Sequence, residues 1–125
     1  MKYEFEGSKI NQILRVYTEN SLVDVQFDID WHTRRYLLKL ELPVDVLARE
    51  ATYEIAFGNI KRKTTRNTSY EMAKFEVPYH RWLDLSEEDF GVSVANDSKY
   101  GCSVENSTIG LSIVRGAVAP DFFSD

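Results

Sequence analysis

Four side chains with ionisable or hydrogen-bonding ends crowd into one short stretch. They are the amide of Asn96, the carboxylate of Asp97, the ammonium of Lys99 and the phenol of Tyr100, with Gly101 behind them. A sugar-contacting edge needs this mixture: hydrogen-bonding groups of hydroxyl size beside an apolar aromatic plate. The same residues satisfy the chemistry of a hydrophilic β-turn with Gly101 at positive φ. Either reading puts them at the end of a strand, because Phe90, Val92 and Val94 alternate just ahead of them.

Other chemistry is weaker. Asp28 and Asp30 share a strand face at about 7 Å from the strand rise, and glycoside hydrolysis uses two carboxylates. The wet side of an amphipathic strand looks the same, so no catalytic residue is assigned. Glu87, Glu88 and Asp89 fit the first turn of a short helix capped by Ser86. His32 and His80 lie far apart without partners at ligand spacing, and no metal site is expected in this chain. Cys102 has no histidine near it in sequence and reads as a small buried thiol. Lys61, Arg62 and Lys63, with Arg66, read as a solvated loop. Trp31 continues the apolar face of its strand and reads as core, whereas Trp82, after Pro78, His80 and Arg81, is open to a contact role.

The frame holding these residues is one domain, or a piece of one, in 125 residues with 43% hydrophobic content, enough to fill a core. A net charge of −5 argues against nucleic acid, since phosphate neutralisation needs a basic face. A single cysteine fits a reducing compartment. With no apolar run of membrane length and no leader-like start, the expectation is a soluble, cytoplasmic protein without a membrane partner. The triplets at Asn67, Asn96 and Asn106 that match a glycosylation acceptor are then chance.

Period-two alternation runs almost throughout. Strands are expected at 2–6 (Tyr3, Phe5), around Ile10, Leu14 and Val16, and at 23–31, where Val23, Val25, Phe27, Ile29 and Trp31 face one way. Residues 36–42 repeat the alternation and, across His32 to Arg35, look like the second arm of a hairpin stopped by Pro43. Residues 52–57 (Tyr53, Ile55, Phe57 inward), 90–95 and 108–114 complete the main set, with 100–105 a shorter strand. Between 61 and 74 the apolar period vanishes, which reads as a long loop. The sum is an all-β, antiparallel β-sandwich over 1–125 that looks incomplete. Its tail ends on Phe122 and Phe123 without a closing strand, and open edges of this kind are expected to drive self-association.

The stretches FGNIKR (57–62), RNTSYE (66–71), FEVPYHRWLDLSEE (75–88) and FGVSVANDSKYG (90–101) resemble the C-terminal β-sandwich region of family 38 α-mannosidases, in the branch with cytosolic and vacuolar enzymes. VQFDIDWHTRRYLLKLELPVD (25–45) and LSIVRGAVAPD (111–121) extend the likeness to nearly the whole chain; Lys63 and Tyr70 depart from it, where the family often has proline and tryptophan. The resemblance implies a supersandwich-like piece of a zinc-dependent retaining enzyme that releases terminal α-linked mannose. The catalytic barrel, which carries the nucleophile and the zinc ligands, and a helical region are then its partners, and the chain alone is inactive. Asn96, Asp97, Lys99 and Tyr100 are expected on the outer substrate rim, with Arg66, Asn67 and Trp82 near it. The alternative is a stand-alone carbohydrate-binding or protein-interaction sandwich using the same loop.

Overall fold

A computed structural model describes residues 1–117. The described residues form two compact units, one made of Met1–Leu37 with residues 114–117, the other of Leu38–Ile113. The aromatic tail and the end of the 111–121 stretch lie outside the described residues.

In the first unit, β1 (Lys2–Phe5), β2 (Ser8–Val16) and β3 (Val23–Asp30) make an antiparallel sheet in the order β1-β2-β3. The β1–β2 turn is Glu6-Gly7, both at positive φ (45° and 81°), the twist that a two-residue hairpin requires. Register places Ile10 between Tyr3 and Ile29, Leu14 beside Val25, and Val16 beside Val23. One face is therefore apolar and the other carries Lys2, Glu4, Lys9, Asp28 and Asp30. The alternation is as expected but the burial is shallow: Ile10 is buried, Val25, Phe27 and Ile29 are half-buried, and Tyr3, Leu14, Val16 and Val23 are exposed. Trp31 is half-buried, and its enclosed indole N–H meets no acceptor among the described residues.

Residues 31–36 do not turn a hairpin. The hydroxyl of Ser8, fully buried, accepts from His32 N at 2.7 Å and Thr33 N at 3.0 Å, which holds the chain leaving β3 against the start of β2. Arg35 N then donates to Gly116 O (2.7 Å) and Gly116 N to Tyr36 O (2.9 Å). The next strand, β4 (Leu37–Pro43), consequently pairs in another sheet.

The second unit is a two-sheet sandwich. One sheet orders β6 (Gly58–Lys63), β5 (Glu50–Ile55), β8 (Trp82–Ser86) and β9 (Gly91–Ala95); the other orders β4, β11 (Thr108–Arg115), β10 (Gly101–Glu105) and β7 (Val77–Pro78). Alternation turns Ala51 and Tyr53 of β5, Leu83 and Leu85 of β8, Cys102 and Val104 of β10, and Ile109 and Leu111 of β11 into one core with Val46 and Tyr79. At roughly 25 cal/mol per Å² of apolar surface, a set of this size is what holds the two sheets together.

Three local expectations are revised. Residues 61–63, expected in the loop, belong to a strand: β6 is a sheet edge, and edge strands carry charge instead of an apolar period. Beyond it, α1 (Ser69–Ala73) starts from a reciprocal cap, with Thr68 Oγ1 accepting from Glu71 N at 3.2 Å and Glu71 Oε2 accepting from Asn67 N at 2.8 Å. Residues 87–90 are no helix but the connector of the β8–β9 hairpin, closed by Glu87 N to Phe90 O at 2.8 Å. Phe57 and Phe90 also leave their expected faces. Phe57 occupies the β5–β6 turn at φ 65°, fully exposed, and Phe90 stands exposed before β9. Among the described residues no helix is long and apolar enough to cross a membrane.

Candidate functional site

Residues 96–100 join β9 to β10, as the alternation ahead of them requires. Asn96 builds the turn. Its Oδ1 accepts from Ser98 N (3.0 Å) and Lys99 N (2.6 Å), its Nδ2 donates to His80 O (2.8 Å), and its own N donates to Arg81 O (2.8 Å). Every polar group of the Asn96 side chain is thus committed. Tyr79 N closes the far end by donating to Tyr100 O at 2.9 Å. Gly101 is not at positive φ; it opens β10, where an added Cβ would meet the Cβ of Ser112 at 3.1 Å.

The support beneath the loop is the link Tyr79-His80-Arg81. Arg81 Nη2 donates to Glu54 Oε1 at 2.6 Å, and Arg81 N donates to Glu54 Oε2 at 2.7 Å. His80 N donates to Glu54 O at 3.0 Å. The Arg81 guanidinium bonded to Glu54 holds that carboxyl below its ordinary value. Underneath, burial raises the Tyr79 hydroxyl to about 12, with the Cys102 thiol adding to the shift and the Asn96 side chain opposing it. What the loop presents to solvent is Asp97, Lys99 and Tyr100, all exposed, with the His80 ring edge-on to Tyr100 at 6.5 Å. This is a carboxylate, an ammonium and an aromatic plate on a rigid base, suited to orienting a polyol and lacking an activated nucleophile.

The remaining expected rim residues divide. Trp82 begins β8 opposite Ala95, so it stands half-buried at the base of the loop. Arg66 and Asn67 are not brought to it. Arg66 pairs with Glu105 at 3.1 Å, at the other end of β10, and the Asn67 backbone caps α1. Sequence reasoning missed Glu54, His80 and Arg81 as the loop's support. The adjacent His80-Arg81 pair was visible, but its acceptor Glu54 lies 27 positions away from Arg81.

The His32 ring has the Asp30 carboxylate beside its Nε2 at 2.8 Å. The described residues hold no group of three or more histidine, cysteine or carboxylate side chains able to bind a metal.

The sequence profile described as "Glycosyl hydrolases family 38 C-terminal domain" matches residues 1–123. Alpha-mannosidase 2C1 of Homo sapiens is 48% identical over 98 residues, 78% of this chain and 9% of its own length. Alpha-mannosidase G of Dictyostelium discoideum is 42% identical over 115 residues, 92% of this chain and 11% of its own. Alpha-mannosidase of Saccharomyces cerevisiae is 43% identical over 106 residues, 84% and 10% respectively. The chain thus spans about a tenth of the length of these curated relatives.

Proposed function

Since the chain belongs to the glycosyl hydrolases family 38 C-terminal domains, we propose that it is the β-sandwich portion of a retaining, zinc-dependent α-mannosidase acting on terminal α-linked mannose in the cytoplasm. The nucleophile and the zinc ligands belong to the catalytic barrel of the same enzyme. The role of this chain is positional. Lys99 and Asp97 hydrogen-bond hydroxyls of the bound glycan, Tyr100 supplies the apolar plate, and Trp82 backs them at the rim. The observation that carries this reading is the clasp on Asn96, which fixes the backbone bearing Asp97, Lys99 and Tyr100 while those side chains stay exposed.

Alanine at Lys99 or at Tyr100 in the full-length enzyme is expected to lower kcat/KM by about tenfold. That is the loss of one charge-assisted hydrogen bond or one stacking contact, roughly 1.4 kcal/mol. Steady-state kinetics on an aryl α-mannoside, with thermal melts of the same variants, measure it. Unchanged kinetics at unchanged stability would reduce both to turn residues. The 125-residue chain alone is expected not to cleave that substrate, with activity returning once the catalytic part is supplied; turnover by the isolated chain would refute the division of labour.

Open strand edges at β1, β3, β6 and β9, together with the exposed apolar face of the first sheet, also support self-association of the isolated chain. Light scattering is expected to give a mass of a dimer or more. A clean monomer overturns that part.

A further inference from the structure

The outward face of the β4-β11-β10-β7 sheet carries a second polar constellation that the sequence did not reveal. Alternation sends Ser103 and Glu105 of β10, Thr108 and Gly110 of β11, and Lys39 of β4 to this side, away from Cys102, Val104, Ile109 and Leu111. With the segment from Arg66 to Glu76 at its margin, the face becomes a groove of about 610 Å³, within the range of small-molecule sites.

Its floor is built. An added Cβ at Gly110 would meet Ser103 Oγ at 2.7 Å and Lys39 Nζ at 3.1 Å. The bare glycine lets the Lys39 ammonium lie across the floor, donate to Ser103 Oγ at 2.7 Å and pair with Glu76. Ser112 Oγ donates to the other Glu76 oxygen at 2.9 Å. Lys39 and Glu76 are each about three-quarters buried, so the arrangement is held before any ligand arrives.

The charges choose the ligand class. Lys39 is answered by Glu76 and Arg66 by Glu105, so neither cation is left for an anion, and the further carboxylate of Glu41 disfavours one. The groups left over are the Thr108 hydroxyl and the Asn106 amide, together with spare carboxylate lone pairs, since the Ser107 hydroxyl already donates to Val46 O at 2.8 Å. Phe75, 57% exposed, supplies an apolar plate on the same groove. A neutral pyranose has the matching surface: hydroxyls at its edge and a C–H face.

We propose that this groove is a glycan-binding subsite for a neutral pyranose residue, separate from the 96–100 loop. The two sites lie at opposite ends of β10, about 13 Å apart at the rise of a strand. The subsite stands on its own geometry, independently of the mannosidase reading.

The test is an NMR titration of the isotopically labelled 125-residue chain with methyl α-D-mannopyranoside. Amide shifts are expected to cluster at Asn106–Gly110 and around Phe75, saturating with a Kd on the order of 1–10 mM. Phe75→Ala removes an exposed ring and should weaken binding about tenfold. The proposal is overturned by an absence of shifts up to about 100 mM sugar, by shifts confined to residues 97–100, or by affinity unaltered in Phe75→Ala. Kinetics of Lys99 and Tyr100 variants read the mannosidase function separately, so the two ideas can fail one at a time.

Discussion

Leu83→Ala is expected to cost the sandwich roughly 3 to 5 kcal/mol, the range for removing a fully buried leucine and leaving a cavity behind. Leu83 has no solvent exposure and sits mid-sheet, with Tyr53 of β5 on one side and Val94 of β9 on the other. Neither neighbour can move in to fill the space, because each is fixed by its own ladder. Domains of this size are stable by only about 5 to 15 kcal/mol, so the variant should sit near the edge of folding. Urea denaturation measures it: the midpoint should fall while the slope against denaturant stays the same. The strands that lose their packing are also those that deliver Trp82 and Asn96, so loop order should fail with the core. A midpoint shift worth less than about 1 kcal/mol would mean that the core repacks freely and that these strands do not govern stability.

The second large effect is alkaline. Burial raises the Cys102 thiol to about 12 and the Tyr79 hydroxyl to about 12, and raises Tyr53 as well. The Cys102 charge would add to the shift of both tyrosines, so ionising one opposes ionising the next. In the unfolded chain these groups lose protons near 9.0 for the thiol and 10.0 for the phenols. Raised folded-state values mean that the folded form holds protons the unfolded form has shed. The contribution of these three groups to stability is therefore level below about pH 9 and falls as pH climbs from there towards 12. At about 1.4 kcal/mol per unit, Cys102 alone accounts for roughly 4 kcal/mol over that interval. Melting followed by circular dichroism between pH 8 and 11.5 should drop steeply, and Cys102→Ala should flatten the early part of the fall. A melting temperature that holds constant to pH 11 would contradict the burial of all three groups.

How far the sequence reached depends on whether a pattern was local. The alternations read at 23–31, 52–57 and 108–114 fall on the strands β3, β5 and β11, because period two is a property of neighbouring residues and needs no knowledge of partners. The 31–36 link failed for the opposite reason. His32 to Arg35 suit a turn by composition, but Ser8, 24 positions before His32, takes the amides that would have shaped it. One cap signature was read where no helix forms, and a similar one was passed over where a helix does form. Thr68-x-x-Glu71 starts a helix, whereas Ser86-x-x-Asp89 ends a strand, because Ser86 pairs with Gly91 and ladders on both sides leave four residues for the connection. Phe57 and Phe90 show a period carried one position beyond its strand, into a turn or its margin. At the site, composition marked 96–100 correctly as a polar turn, but could not say that Asn96 is spent on the backbone while Asp97, Lys99 and Tyr100 are not. The groove was invisible, since Lys39, Glu76, Ser103 and Gly110 come together only through sheet pairing.

The moorings of the 96–100 turn have a use in redesign. They consist of main-chain atoms of residues 79–81 and 98–100 plus a single asparagine. Positions 97, 99 and 100 are therefore interchangeable slots on a fixed mount. A combinatorial library confined to those three positions could change the chemistry that the loop presents while the scaffold and its folding stay as they are.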